Sequence, residues 1–174
     1  MCIRDSGYRS TELTFKDLKG ELLAKDENAL KCIIKANSAG ALALSAEALG
    51  IMQICFDLTL DYLKTRKQFG KSIGAFQSIQ HRMVDMMLEI EQVKSAVMLA
   101  SSTFETDDLT RDKNISAAKN LVGRVGKLIA EETIQLHGGI AMTWEYSAAH
   151  YAKRLIMIDH LMGDSDHHLE KFKL

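Results

Sequence analysis

Hydrophobic positions recur at intervals of three and four along most of the chain. The clearest run lies in residues 76–104, where Met83, Met86, Met87, Ile90, Val93, Val97 and Ala100 trace one face and Arg82, Asp85, Glu89 and Gln92 the other. That spacing specifies an amphipathic helix. A helical pattern also covers residue 28 to about residue 65, with Leu30, Ile33 and Ile34 on one side and a small-residue stretch after Ala36 that lets a neighbouring helix approach closely. A third helix is predicted from about Lys113 to His137, stopped by Gly138-Gly139, and a fourth from about Tyr146 to Met162, broken at Gly163 before a short charged piece. The acidic, hydroxyl-rich residues 105–112 (ETDDLTRD) read as a turn with N-capping groups ahead of the third helix. Four long helices on short corners make an all-α protein, an antiparallel four-helix bundle over residues 25–174.

The chain before the bundle follows a different pattern. Residues 7–23 (GYRSTELTFKDLKGELL) alternate loosely and are expected to form two short strands, or one strand and a turn. So little β-structure cannot stand alone, so residues 7–24 read as the end of a sheet built elsewhere. Residues 1–6 (MCIRDS) have neither the charge nor the apolar run of a signal peptide and lead into nothing that follows; they are expected to be a leader foreign to the fold.

Composition narrows the function classes. A net charge of −1 leaves no footprint for nucleic acid or an anionic membrane. Proline is absent, which suits long uninterrupted helices. The most apolar stretch, 39–56, is interrupted by Ser45, Glu47 and Gln53 and fits a buried core helix better than a membrane span. Cys2, Cys32 and Cys55 have no metal spacing, so a reduced, cytoplasmic setting is expected, with Cys32 and Cys55 on buried helix faces.

Three stretches could carry chemistry. In YLKTRKQFGKSIGAFQSIQ (62–80), Arg66 and Lys67 complement a helix C-terminus, Gly70 relieves a turn, and Ile73 and Phe76 can anchor the next helix. Gln68, Gln77 and Gln80 are not needed for that. An arginine fork beside amide groups suits a phosphate and a heterocycle edge, with the Phe69 ring as a flat apolar wall. Both a structural and a binding corner are open readings. In IQLHGGIAM (134–142), Gly138 and Gly139 can cap a helix or let backbone approach a ligand that Gln135 would also reach; the pair is not a dinucleotide-binding fingerprint. In IDHLMGDSDHHL (158–169), His160, Asp164, His167 and His168 would share a face if the helix ran on through Gly163, a metal set in that case and a solvated helix end otherwise. No Glu-x-x-His pair of di-iron bundles is present, and no metal is assigned.

Taken in order, Arg66-Lys67-Gln68-Phe69-Gly70, Ile73, Phe76-Gln77 and Gln80 resemble the R-x-Q-F-G-x-x-I-x-x-F-Q-x-x-Q signature of acyl-CoA dehydrogenases. Gln135-Leu136-His137-Gly138-Gly139, followed by Glu145-Tyr146, resembles that family's second signature. The resemblance covers about residues 25 to 170. It implies the C-terminal bundle of a longer subunit, with residues 7–24 as the tail of its middle β-domain. It also implies an FAD enzyme that removes two hydrogens from the α and β carbons of an acyl-CoA. A carboxylate takes the α proton, the flavin N5 accepts the β hydride, and electrons leave to an electron-transfer flavoprotein. By position, Arg66 would pair with the FAD pyrophosphate. Phe69, Ile73 and Gln77 would line the adenine side, and Gln135 and Gly139 would add amide and backbone contacts to the same end, with Gln68 and Gly138 in the same cofactor-binding set; in this family that set reaches a neighbouring subunit's flavin.

The departures concern the base. The family's usual glutamate falls at Met162, and the alternative glutamate of a minority of members falls at Gly40. Neither residue accepts a proton. Asp164, one helical turn away at most, is the candidate replacement base. The ending LMGDSDHHLEKF looks most like the small subunits of pimeloyl-CoA dehydrogenase-type heteromeric enzymes. The expected partner is therefore a homologous acyl-CoA dehydrogenase subunit that holds the base. The alternatives are a homotetramer using Asp164 and a non-catalytic helical interaction module without flavin.

Overall fold

The computed structural model describes residues 12–173. Five helices dominate it: α1 (Asp26–Thr65), α2 (Gln77–Ser102), α3 (Asp108–His137), α4 (Ser147–Asp159) and α5 (Ser165–Lys173). Two-residue strands β1 (Lys67–Gln68) and β2 (Lys71–Ser72) and a 3₁₀ turn (Ile73–Ala75) connect α1 to α2; a second 3₁₀ turn (Gly138–Met142) follows α3.

α3 is the axis of the bundle and packs against each of the other four helices. Its sequence permits this because it is buried nearly all round: Ile115, Val122, Val125 and Ile129 face one set of neighbours, while Ser116, Lys119, Gly123 and Ala130 face another. α1 contributes a single face, Ala41, Ser45, Ala48, Met52, Cys55, Thr59 and Leu63, stepping by three or four. Its two buried hydroxyls are satisfied on the helix itself, Ser45 Oγ donating to Ala41 O (2.8 Å) and Thr59 Oγ1 to Cys55 O (2.6 Å). Met83, Met86, Ile90, Val93, Val97 and Ala100 of α2 and Ala148, Ala152, Leu155 and Ile158 of α4 complete the core. A window of α1 reaches a mean hydropathy of 1.6, the level of a membrane span, but its buried face is core of the bundle.

Several expectations are corrected. Met87 sits off the α2 core stripe, 47% exposed, because the row of buried residues steps from Met86 to Ile90. α3 starts five residues early, at Asp108, since Asp107 is its N-cap and accepts from Thr110 N–H (2.9 Å). α4 ends at Asp159 rather than at Met162. The charged C-terminal piece is a helix, α5, docked on α3 through buried His168. Residues 12–23 form no strand; they are exposed, with a bend at 16–17, and the rest of the expected strand region, 7–11, lies outside the described residues together with the 1–6 leader. Of the two described cysteines Cys55 is buried and Cys32 exposed, because the first turns of α1 project past the bundle, leaving Leu30 and Ile33 exposed as well.

Candidate functional site

The first corner is a miniature hairpin. α1 stops at Arg66, whose backbone turns extended (φ −70°, ψ 123°) while its N–H still reaches Tyr62 O (2.8 Å). Lys67 pairs with Ser72 and Gln68 with Lys71, leaving Phe69 and Gly70 as the two turn residues, both at positive φ (55° and 79°). Two-residue hairpins ask for that backbone at both positions, and glycine supplies it freely. A phenylalanine there costs on the order of 1–2 kcal/mol. Phe69 is nonetheless 90% exposed, its ring set edge-on to that of Phe76 (centroids 6.2 Å). A strained, exposed aromatic is poorly explained by folding alone. Gly74 lets the corner lie on α1, because a Cβ there would press on Leu63 O at 3.0 Å.

The glutamines divide. Gln80 Nε2 donates to Gly74 O (3.0 Å) and Gln68 Nε2 to Lys67 O (2.8 Å), so both amides brace the corner. Gln77 opens α2 with its side chain exposed, and Arg66 is exposed with no side-chain partner recorded among the described residues. Ile73 is half-buried against the core, and its N–H donates to Arg66 O (2.9 Å). A free guanidinium, an exposed ring and an exposed amide at one helix end form a donor set for an anion and a flat heterocycle.

The second corner lies at the end of α3. Gly138 (φ 65°) ends the helix with its N–H on Ile134 O, and Gln135, Gly138 and Gly139 are exposed beside buried Leu136 and His137. The fold brings the two corners together through rings. Tyr62, one turn before Arg66, stacks on His137 with centroids 4.7 Å apart, and Tyr146 lies against the same imidazole at 5.1 Å. Gln135 also walls an open apolar groove of about 720 Å³ between α3 and α4, which Trp144, Met142 and Ile156 line.

The region of the missing base is at the α4–α5 turn. Met162 takes a left-handed backbone (φ 57°), followed by Gly163 (φ 96°). Opposite it is Gly40 of α1: a Cβ there would meet Met162 Cε at 3.3 Å. The two base positions that the family resemblance implies therefore face one another, and neither carries a proton acceptor. A polar lock from α3 holds the turn. The ammonium of fully buried Lys119 donates to Ile158 O (2.9 Å), Asp159 O (3.1 Å) and Gly163 O (3.0 Å). Asn120 donates to Ser165 O (2.8 Å), and Ser165 Oγ to Asp159 Oδ1 (2.7 Å). His168 Nε2 lies 3.0 Å from Met162 O; a carbonyl only accepts, so Nε2 carries the proton and Nδ1 faces the Ser116 hydroxyl at 3.3 Å. Burial pulls Lys119 below the ordinary lysine range, opposed by Asp159 and Asp164, and pushes His168 down to about 4.

The remaining candidates are engaged separately. Asp164 caps α5, accepting His167 N–H (2.9 Å), and that bond chiefly holds its carboxyl below the usual range. His168 is buried in the lock, whereas His160 and His167 are exposed. Gly163 ends any continuous helix, so the face on which these groups would have shared a metal is not formed. Sequence reasoning passed over Tyr62, Lys119 and the role of His137. Lys119 left one signal, a charge at helical spacing with Ile115, Val122 and Gly126 of α3.

Residues 30–171 match the family described as acyl-CoA dehydrogenase, C-terminal domain. The acyl-CoA dehydrogenase IpdE2 of Mycolicibacterium smegmatis is 33% identical over 135 residues, 76% of this chain and 41% of that protein. The butyryl-CoA dehydrogenase of Megasphaera elsdenii superposes with a TM-score of 0.80 at 25% identity, over 86% of this chain and 39% of that one. A chain of the ChsE4-ChsE5 complex from Mycobacterium tuberculosis has the same fold, with a TM-score of 0.75 at 20% identity, over 79% of this chain and 37% of that one. The chain thus spans about two-fifths of the length of these relatives.

Proposed function

The chain belongs to the acyl-CoA dehydrogenase family, through its C-terminal domain, and on that premise we propose that it is part of a subunit that completes the flavin site of a homologous partner subunit. The cofactor is FAD. When bound, it supplies the acceptor for the hydride leaving the β carbon of an acyl-CoA while a carboxylate takes the α proton. This chain's part is to bind and orient. Arg66 neutralises pyrophosphate charge, the exposed Phe69 ring and Gln77 flank the adenine, and Gln135 with the Gly138-Gly139 backbone closes the same end. The base belongs to the partner, and electrons pass on to an electron-transfer flavoprotein.

The observation that carries this reading is the pairing of Gly40 with Met162. The corner that reaches outward keeps its full donor set, while both positions from which the chain could serve its own substrate have no proton acceptor. Asp164 is a poor substitute, since its carboxylate already accepts the His167 N–H at the α5 N-terminus, a bond that lowers its pKa and with it its basicity. The relative solved as the ChsE4-ChsE5 complex supports pairing of unlike subunits.

The test is Arg66→Ala in the complete protein, expressed with its partner. Losing a charged hydrogen bond to phosphate costs about 1.5–3 kcal/mol, roughly a ten- to hundredfold loss of FAD affinity. Unchanged FAD content would reduce Arg66 to a helix cap and sink the reading.

A further inference from the structure

We infer that His137 is a positioning residue that registers the two cofactor corners against each other, and that it acts through the shape of its ring rather than through its proton. The inference rests on the flavin reading above, and three observations carry it. First, His137 is 4% exposed and lies between Tyr62 and Tyr146, stacked on the former with planes 30° apart and tilted to the latter by 56°. Tyr62 O accepts the N–H of Arg66, and Arg66 O accepts that of Ile73, so the imidazole is two contacts from the guanidinium's own backbone. On its other side it is bonded in sequence to Gly138, which turns the backbone through φ 65° toward Gly139. It thus bears on both corners, and no other ring pair among the described residues joins α1 to α3.

Second, the ring's polarity is scarcely used. Nδ1 donates to Thr133 O (2.8 Å), a carbonyl in the last turns of α3, and Nε2 is buried without a hydrogen-bond partner among the described residues. A buried acceptor left unmade is a cost, and a residue kept for its hydrogen bonds would not leave one idle. Third, the imidazole is held from two sides in different geometries, stacked on Tyr62 of α1 and tilted against Tyr146 ahead of α4. The stack therefore fixes the approach of the α1 end to the α3 end while the flanking backbone bends sharply.

The experiment compares His137→Phe, His137→Ala and Tyr62→Leu in the complete protein with its partner, reading FAD affinity by recovery of flavin-binding in stripped protein. Arg66→Ala is run alongside. His137→Phe is expected to keep FAD affinity within about twofold, because the stacked shape survives. His137→Ala and Tyr62→Leu are expected to lower it by about tenfold or more, since 1 Å of misplacement suffices to weaken a charged contact. Should His137→Ala fail to fold, Tyr62→Leu reads the same contact from α1. A His137→Phe variant as weak as His137→Ala, or a Tyr62→Leu variant with full affinity, overturns the inference. If Arg66→Ala also leaves affinity unchanged, the flavin reading fails; if it alone weakens binding, only the positioning role fails.

Discussion

Met162 of the α4–α5 turn and Gly40 of α1 share one small space: the thioether methyl lies 3.3 Å from where a Cβ on Gly40 would be. The atom in the way is the end of a flexible, half-exposed side chain, so it can move. Gly40→Ala should therefore be tolerated. The helix gains up to about 1 kcal/mol from replacing glycine, set against a few tenths for displacing the methyl. Thermal denaturation should show an unchanged or raised midpoint; a clear loss would mean that Met162 is held more rigidly than the turn implies.

Gly123 is the opposite case. A methyl group there would collide with Asp159 Oδ1 and Ser165 Oγ, which hydrogen-bond to each other against α3. Gly123→Ala should cost about 1–3 kcal/mol or more by overpacking and by breaking that bond. Gly50→Ala, with nothing within 4 Å of the new atom, should be neutral or stabilising. The two variants measured side by side separate steric cost from helix propensity.

His168 predicts a dependence on pH. Its folded pKa, pushed down to about 4, lies below the 6.5 of an unfolded imidazole, so the native state binds fewer protons in that window. Stability is then complete above pH 6.5 and falls as the pH drops toward 4, by on the order of 3 kcal/mol. His168→Gln should flatten this part of the profile, leaving the carboxylate titrations at lower pH. Denaturant midpoints between pH 4 and 7 for both proteins make the comparison, and parallel curves would show that His168 is not the group responsible.

Lys119→Met should be costly although the volumes are similar. It removes the donor shared by three carbonyls, at about 2–4 kcal/mol. It also removes a positive charge that disfavours protonation of His168. The His168 resonance, followed by NMR, should titrate at a higher pH in the variant if it folds. A variant of full stability would show that water can replace the ammonium in the turn.

The bundle was legible because Met83, Met86, Ile90, Val93 and Val97 are both periodic and buried, and because Gly138 ends α3 and Gly163 lies in the turn between α4 and α5, both at positive φ. Met87 and Leu30 misled because period alone does not say where a neighbouring helix ends. The corner residues Arg66, Phe69 and Gln135 could be named from their motifs. The stack that joins them could not, since Tyr62 and His137 lie far apart in sequence and meet only once α1 and α3 pack. Lys119 escaped for the same reason, and His168 was named without its role: a buried polar lock looks like surface charge until its carbonyl partners are placed.

Most direct for the central claim is the flavin-to-chain ratio of the complete protein, purified alone and with its homologous partner subunit, together with turnover of an acyl-CoA. One FAD per pair is expected in the complex, little flavin and no turnover in the chain alone, and undiminished turnover of the complex when Asp164→Asn is introduced. One FAD per chain in the protein purified alone, with turnover that Asp164→Asn abolishes, would contradict it and make Asp164 the base.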